Sequence, residues 1–268
     1  MKKQLLIVGL TLVLLAIGLT GCLGGHYTDY FNEEYEANEN TVLKITTFNG
    51  QIEIYTWDND TVSLNAIKRS TISREELENA DINVDESYNK IEIEVLYTGQ
   101  RTTQPSIDMN IKVPSYVTVE TVTTSNGAII IEGVKGNITT DSSNGAITIE
   151  NVDGYVAATS SNGRIEVTGT TGIKNLHSSN GLINTEIFDL QEDITISTSN
   201  GGITVYINPS ISADIEMETS NGHITISGIT FNLITDEEKH KEGTLGAGGN
   251  KISIQTSNGN IRLYELEV

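Results

Sequence analysis

Cysteine occurs once in the 268 residues, at Cys22, which excludes a disulfide within the chain. Basic residues are also few, 16 Lys and Arg against 36 Asp and Glu, and a net charge of −20 makes nucleic acid and anionic lipid headgroups poor partners. Aromatic residues are 6% of the chain and follow no basic stripe, so single-stranded nucleic acid finds no stacking platform. The four histidines, His26, His177, His223 and His240, sit at unrelated offsets and form no metal-ligand spacing. Long hydrophobic runs are missing too. The uncharged stretch Leu5 to Leu19 falls short of the roughly 20 residues that span a bilayer. The excess of carboxylates suits a long β-surface that must stay soluble and apart from its neighbours.

Against these absences stands one tripeptide. Ser-Asn-Gly recurs at 125–127, 143–145, 161–163, 179–181, 199–201, 220–222 and 257–259, in steps of 18, 18, 18, 20, 21 and 37 residues. A period that is first constant, then drifts, then ends on about two periods marks a coiled array. Two residues after each Gly stands Ile: Ile129, Ile147, Ile165, Ile183, Ile203, Ile224 and Ile261. Four after stand Ile131, Ile149, Val167, Thr185, Val205, Ile226 and Leu263, an alternation of largely β-branched residues that reads as a strand. A second inward column precedes each turn, with Val122, Thr140, Ala158, Leu176, Ile196, Met217 and Ile254 five before the Gly. Glu120 and Lys174 break it two positions further upstream, and a local register shift is expected at each.

Asn and Gly enter positive-φ conformations most cheaply. A tight turn is therefore expected at Asn126-Gly127, Asn144-Gly145, Asn162-Gly163, Asn180-Gly181, Asn200-Gly201, Asn221-Gly222 and Asn258-Gly259. Ser or Thr stands three before every Gly, from Thr124 to Thr256, so hydroxyls and Asn amides can stack coil over coil. The implied fold is all-β, a solenoid like a parallel β-helix or β-roll. Its coils of about 18 residues hold two strands each and stack at roughly 4.8 Å across an Ile/Val core.

In chain order, residues 1–21 read as an export signal and 22–40, polar and acidic after Gly24-Gly25, as a tether. Residues 41–117 read as an N-terminal β-rich cap. It opens on a degenerate coil at Phe48-Asn49-Gly50 and holds one short helix, started by the capping box Ser73-Arg74-Glu75-Glu76. Residues 118–268 form the repeat solenoid, with an irregular excursion at 229–249 before the last coil, Lys251 to Leu263, resumes the pattern.

Two resemblances follow. Met1-Lys2-Lys3, the uncharged run and Leu19-Thr20-Gly21-Cys22 resemble a lipoprotein signal peptide with its lipobox. That resemblance implies cleavage before Cys22, a lipid on its sulfur, and a place on the outer face of the cytoplasmic membrane or the cell surface. The Asn-Gly-x-Ile-x-Val coils, the strand Ile107 to Pro114 and the Glu-rich helix before it resemble the DUF4097 putative adhesin family over most of residues 40–268. This implies a β-solenoid in the cell envelope and brings no catalytic or binding residue with it.

The outward positions carry no lattice. One after each Gly stand Ala128, Ala146, Arg164, Leu182, Gly202, His223 and Asn260, which is neither a threonine array nor a calcium-binding carboxylate ladder. The expected function is a non-enzymatic, lipid-anchored, adhesin-like protein whose partners are membrane lipid through Cys22 and a surface glycan or envelope protein. No nucleic acid, cofactor, metal or catalytic residue is expected. An envelope scaffold, docking through a sheet edge or through 229–249, is the alternative. A polysaccharide-active enzyme is the second, and would need Glu132, Glu150 and Arg164 to converge in one groove.

Overall fold

A computed structural model describes residues 26–100 and 103–267, so the expected signal and Cys22 lie outside the described residues. The chain begins with β1 (Tyr27–Glu36), β2 (Val42–Thr46), β3 (Ile52–Trp57) and β4 (Thr61–Ser70). After α1 (Arg74–Glu78) come β5 (Ala80–Ser87), β6 (Lys90–Tyr97) and β7 (Ser106–Pro114). The helix starts where the capping box placed it, with Ser73 Oγ accepting from the Glu76 N–H at 3.4 Å.

Five coils then follow in pairs of strands: β8 (Thr118–Thr124) with β9 (Ile129–Glu132), β10 (Ile138–Ser142) with β11 (Ile147–Glu150), β12 (Tyr155–Ser160) with β13 (Ile165–Thr168), β14 (Gly172–Ser178) with β15 (Ile183–Ile187), and β16 (Ile194–Asn200) with β17 (Ile203–Ile207). A sixth coil pairs β18 (Ala213–Thr219) with β19 (Ile224–Ser227). A hairpin, β20 (Asn232–Asp236) and β21 (His240–Leu245), leads to the last coil, β22 (Lys251–Asn258) with β23 (Ile261–Glu265).

These strands build the two stacked sheets of a solenoid. One runs β1-β4-β7-β3-β9-β11-β13-β15-β17-β23-β19, the other β20-β21-β18-β22-β16-β14-β12-β10-β8-β2-β6-β5. Within the coils the pairing is parallel and in phase with the repeat, so Ile129, Ile147, Ile165, Ile183 and Ile203 face one another in successive strands. All five are at most 1% exposed. Each such burial contributes about 1.5–3 kcal/mol, and none is available to an isolated coil. The two register shifts also stand where the columns break. Glu120 is the unmatched residue between the Leu43–Val119 and Lys44–Thr121 pairs, and Lys174-Asn175 oppose Ala157 alone.

Two expectations are corrected. Residues 27–36 are not a tether but an edge strand, paired with β4 over its whole length and pinned by Tyr35, which is 6% exposed. Its acidic composition, which reads as solvated linker, belongs to an edge that repels further strands. The excursion at 229–249 contains a β-hairpin whose second strand pairs antiparallel with β18 and covers that edge.

The order of stacking departs from the order of the chain. The last coil does not lie at the end of the stack: β22 sits between β16 and β18, and β23 between β17 and β19. The degenerate coil of β2 and β3 is enclosed in the same way, β2 between β6 and β8 and β3 between β7 and β9. Each coil nearest a chain end thus gains partners on both sides, and the outermost places go to β1 and β19 in one sheet and to β20 and β5 in the other.

Candidate functional site

The Ser-Asn-Gly turns form three parallel columns. None of the seven glycines has positive φ; in the column only Gly50, at its head, does, at 125°. The two strands that each turn joins belong to different sheets, so the turn is not the positive-φ turn of a two-residue hairpin. Glycine is required there by close approach. A Cβ built on Gly127, Gly145, Gly163, Gly181, Gly201, Gly259 or Gly222 would stand 1.6–2.1 Å from the carbonyl oxygen of the glycine one coil below.

The asparagines run beside them. Asn144 donates to Asn126 at 2.6 Å, Asn162 to Asn144 at 2.8 Å, and Asn180 to Asn162 at 2.8 Å. The ladder continues through Asn200, Asn258 and Asn221 at 2.8–2.9 Å, in spatial rather than sequence order.

Buried hydroxyls make the third column. Ser160 Oγ donates to the Gly145 carbonyl at 3.1 Å and accepts from the Gly163 N–H at 2.8 Å, and Ser142 and Ser178 make the same donation to Gly127 and Gly163 at 3.0 Å. Thr47, at the same offset from Gly50, holds the one buried side-chain oxygen without a partner among the described residues. Ser160→Ala is expected to cost about 2 kcal/mol, because it strands the Gly163 N–H. Ser160→Thr should cost little, as Thr198 fills the same role toward Gly181. Denaturant midpoints of the two variants check both.

On the outer face of the 11-stranded sheet, Glu132 and Glu150 are direct neighbours in the β9–β11 ladder and project from the same side. Arg164 pairs with Glu166 at 3.2 Å. These residues are spread along one open face; they do not flank a cleft from opposite walls. Further along the same column stand Glu186, Tyr206 and Tyr264 in adjacent strands, with Ser227 beyond. The two tyrosine rings lie 5.4 Å apart at 30°. Beside them opens a recess of about 640 Å³, lined by Glu186, Tyr206, Ser227, Tyr264, Glu265 and Glu267. Glu186 is oriented by the Gly169 N–H, which donates to its Oε2 at 2.8 Å.

Sequence reasoning passed over this pair. Tyr206 and Tyr264 occupy the same offset, five after Gly201 and Gly259, but only the enclosure of the last coil makes them neighbours. Tyr55, at the equivalent place after Gly50, stands between Lys112 and Glu132, and burial together with Glu53 raises its pKa. Among the described residues no three His, Cys, Asp or Glu side chains are grouped to hold a metal ion, and no helix is long and apolar enough to cross a membrane.

No curated protein matches the chain. Among solved structures it is similar to a putative cell adhesion protein from Clostridium sporogenes, at 15% identity over 90% of this chain and 100% of that one, with a TM-score of 0.39. A putative adhesin from Bacteroides fragilis gives 12% identity over 89% and 97%, with a TM-score of 0.40. A putative lipid binding protein from Parabacteroides distasonis gives 10% over 89% and 97%, with a TM-score of 0.30. The family model described as Toastrack DUF4097 matches residues 35–264, nearly the whole described solenoid with its N-terminal cap, and the chain belongs to that family.

Proposed function

We propose that this protein is a non-enzymatic, adhesin-like contact module of the cell envelope, exported and held through a lipid on Cys22, that presents its solenoid to a surface glycan or envelope protein. The direction of the stack carries the reading. β1, which follows the anchor segment, lies at one edge of the 11-stranded sheet, and the tyrosine recess lies over β17, β23 and β19 at the other. Nine strand steps of about 4.8 Å separate β1 from β23, so the recess lies roughly 40 Å along the sheet from the strand that follows the anchor segment. The glycine, amide and hydroxyl columns make that reach stiff. Mass spectrometry of the native protein should find a lipid on Cys22, and an unmodified thiol there would remove the anchor. The Cys22→Ser chain should bind native envelopes above an acidic protein of matched charge, and failure to do so would remove the contact role.

One observation favours the scaffold alternative. The edge strand β20 leaves Leu233 and Ile234 exposed, at 45% and 70%, with no charged residue from Asn232 to Thr235. A partner strand could add there. Ile234→Lys should then alter the crosslinked partner list, and an unchanged list excludes that edge.

A further inference from the structure

Resting on the contact reading above, we propose that the recess beside Tyr264 binds a neutral pyranose unit of a polysaccharide. The recess exists because the outward column ends asymmetrically. On one side Tyr264 meets the Tyr206 ring at 5.4 Å; on the other its register partner is Ser227, a small side chain on the sheet's last strand. Gly228 follows Ser227, so nothing large fills the space past the ring, and the 640 Å³ left open is within the range of small-molecule sites. Tyr55, at the same offset in the degenerate coil, has the long side chains of Lys112 and Glu132 on its two flanks.

The lining chemistry selects the ligand. An aromatic face carries negative quadrupole density, which attracts the polarised C–H bonds on one face of a pyranose ring. Hydroxyls around that ring need acceptors, and Glu186, Glu265 and Glu267 supply them as carboxylates, the stronger kind. Glu186 has one oxygen committed to the Gly169 N–H, which aims the other. No Lys or Arg lines the recess, and three carboxylates in a chain of net charge −20 repel uronates and sugar phosphates.

The test uses the full chain and saturation-transfer NMR. The probes are neutral tetrasaccharides of glucose, mannose, galactose and N-acetylglucosamine, with tetragalacturonate as the anionic comparison. At least one neutral probe should receive saturation, and Tyr264→Ala should weaken it about tenfold, the size of one stacking contact. Tyr55→Ala should leave it unchanged, and tetragalacturonate should give none. Ser227→Trp fills the recess without removing a contact, so it should abolish binding while the thermal midpoint stays put. Absence of any neutral signal, a signal indifferent to both Tyr264→Ala and Ser227→Trp, or equal binding of tetragalacturonate would overturn the proposal. Envelope binding of the same variants separates the two readings. Envelope binding by a chain that gives no neutral-sugar signal overturns the recess alone, and sugar binding without envelope binding overturns the contact role alone.

Discussion

Gly145→Ala is expected to lower the stability of the solenoid by about 4 kcal/mol, at the far end of what single substitutions do. The added Cβ would lie 1.6 Å from the Gly127 carbonyl oxygen and 2.2 Å from its carbon. Both are backbone atoms of the turn one coil below, so no rotamer change relieves the overlap and the coils must separate. If glycine served only to supply a positive φ, alanine would cost about 1–2 kcal/mol, the strain of a single left-handed residue. Gly202→Ala is the internal control, since its Cβ would meet nothing nearer than 3.4 Å and the change should stay within about 0.5 kcal/mol. Urea midpoints of the two variants decide the matter, and equal midpoints would refute the close-approach account.

Removal of residues 251–268 is expected to unfold more than it deletes. Hydrogen exchange should show protection lost across 213–249 as well, while 118–207 keeps it. β18 and β19 reach the rest of the stack through β22 and β23, and the truncation takes away Ile252, Ile254, Ile261 and Leu263, all fully buried. Cutting back one such side chain costs about 2–5 kcal/mol, so losing four with their ladders exceeds what the sixth coil can hold by itself. The Glu216–Lys251 pair, 2.7 Å apart, is also lost, a small term beside the core because its lysine is half exposed. In a stack built in sequence order the sixth coil would lie directly on the fifth and would keep its protection, which is the result that would overturn this topology.

The Ile columns, the two-strand coil, the capped helix and the register shifts at Glu120 and Lys174 were all legible, because each depends on alternation and offsets within one coil. The role of Gly was misread for a physical reason. Residue type shows that a side chain must be absent, but not whether a positive φ or a neighbouring carbonyl forbids it. β1 was misread because an acidic edge strand and a solvated linker share a composition. Glu132 and Glu150 drew attention as carboxylates in successive coils, and the ladder then placed them on one open face. Tyr206 and Tyr264, 58 residues apart, became a site only through the enclosure of the last coil.

The amino-acid sequence by itself determined the cross-section of this protein: which side chains point inward, where the corner falls, and which hydroxyl and amide repeat. It could not determine the order of stacking. Every coil offers its neighbours nearly the same Ile, Ser, Asn and Gly faces, so one coil fits on another about equally well by local pattern. The choice is made by non-local terms, among them the reach of the connecting segments. Only the tertiary structure records that choice, and it is what sets Tyr264 beside Tyr206 and leaves the space over Ser227 open.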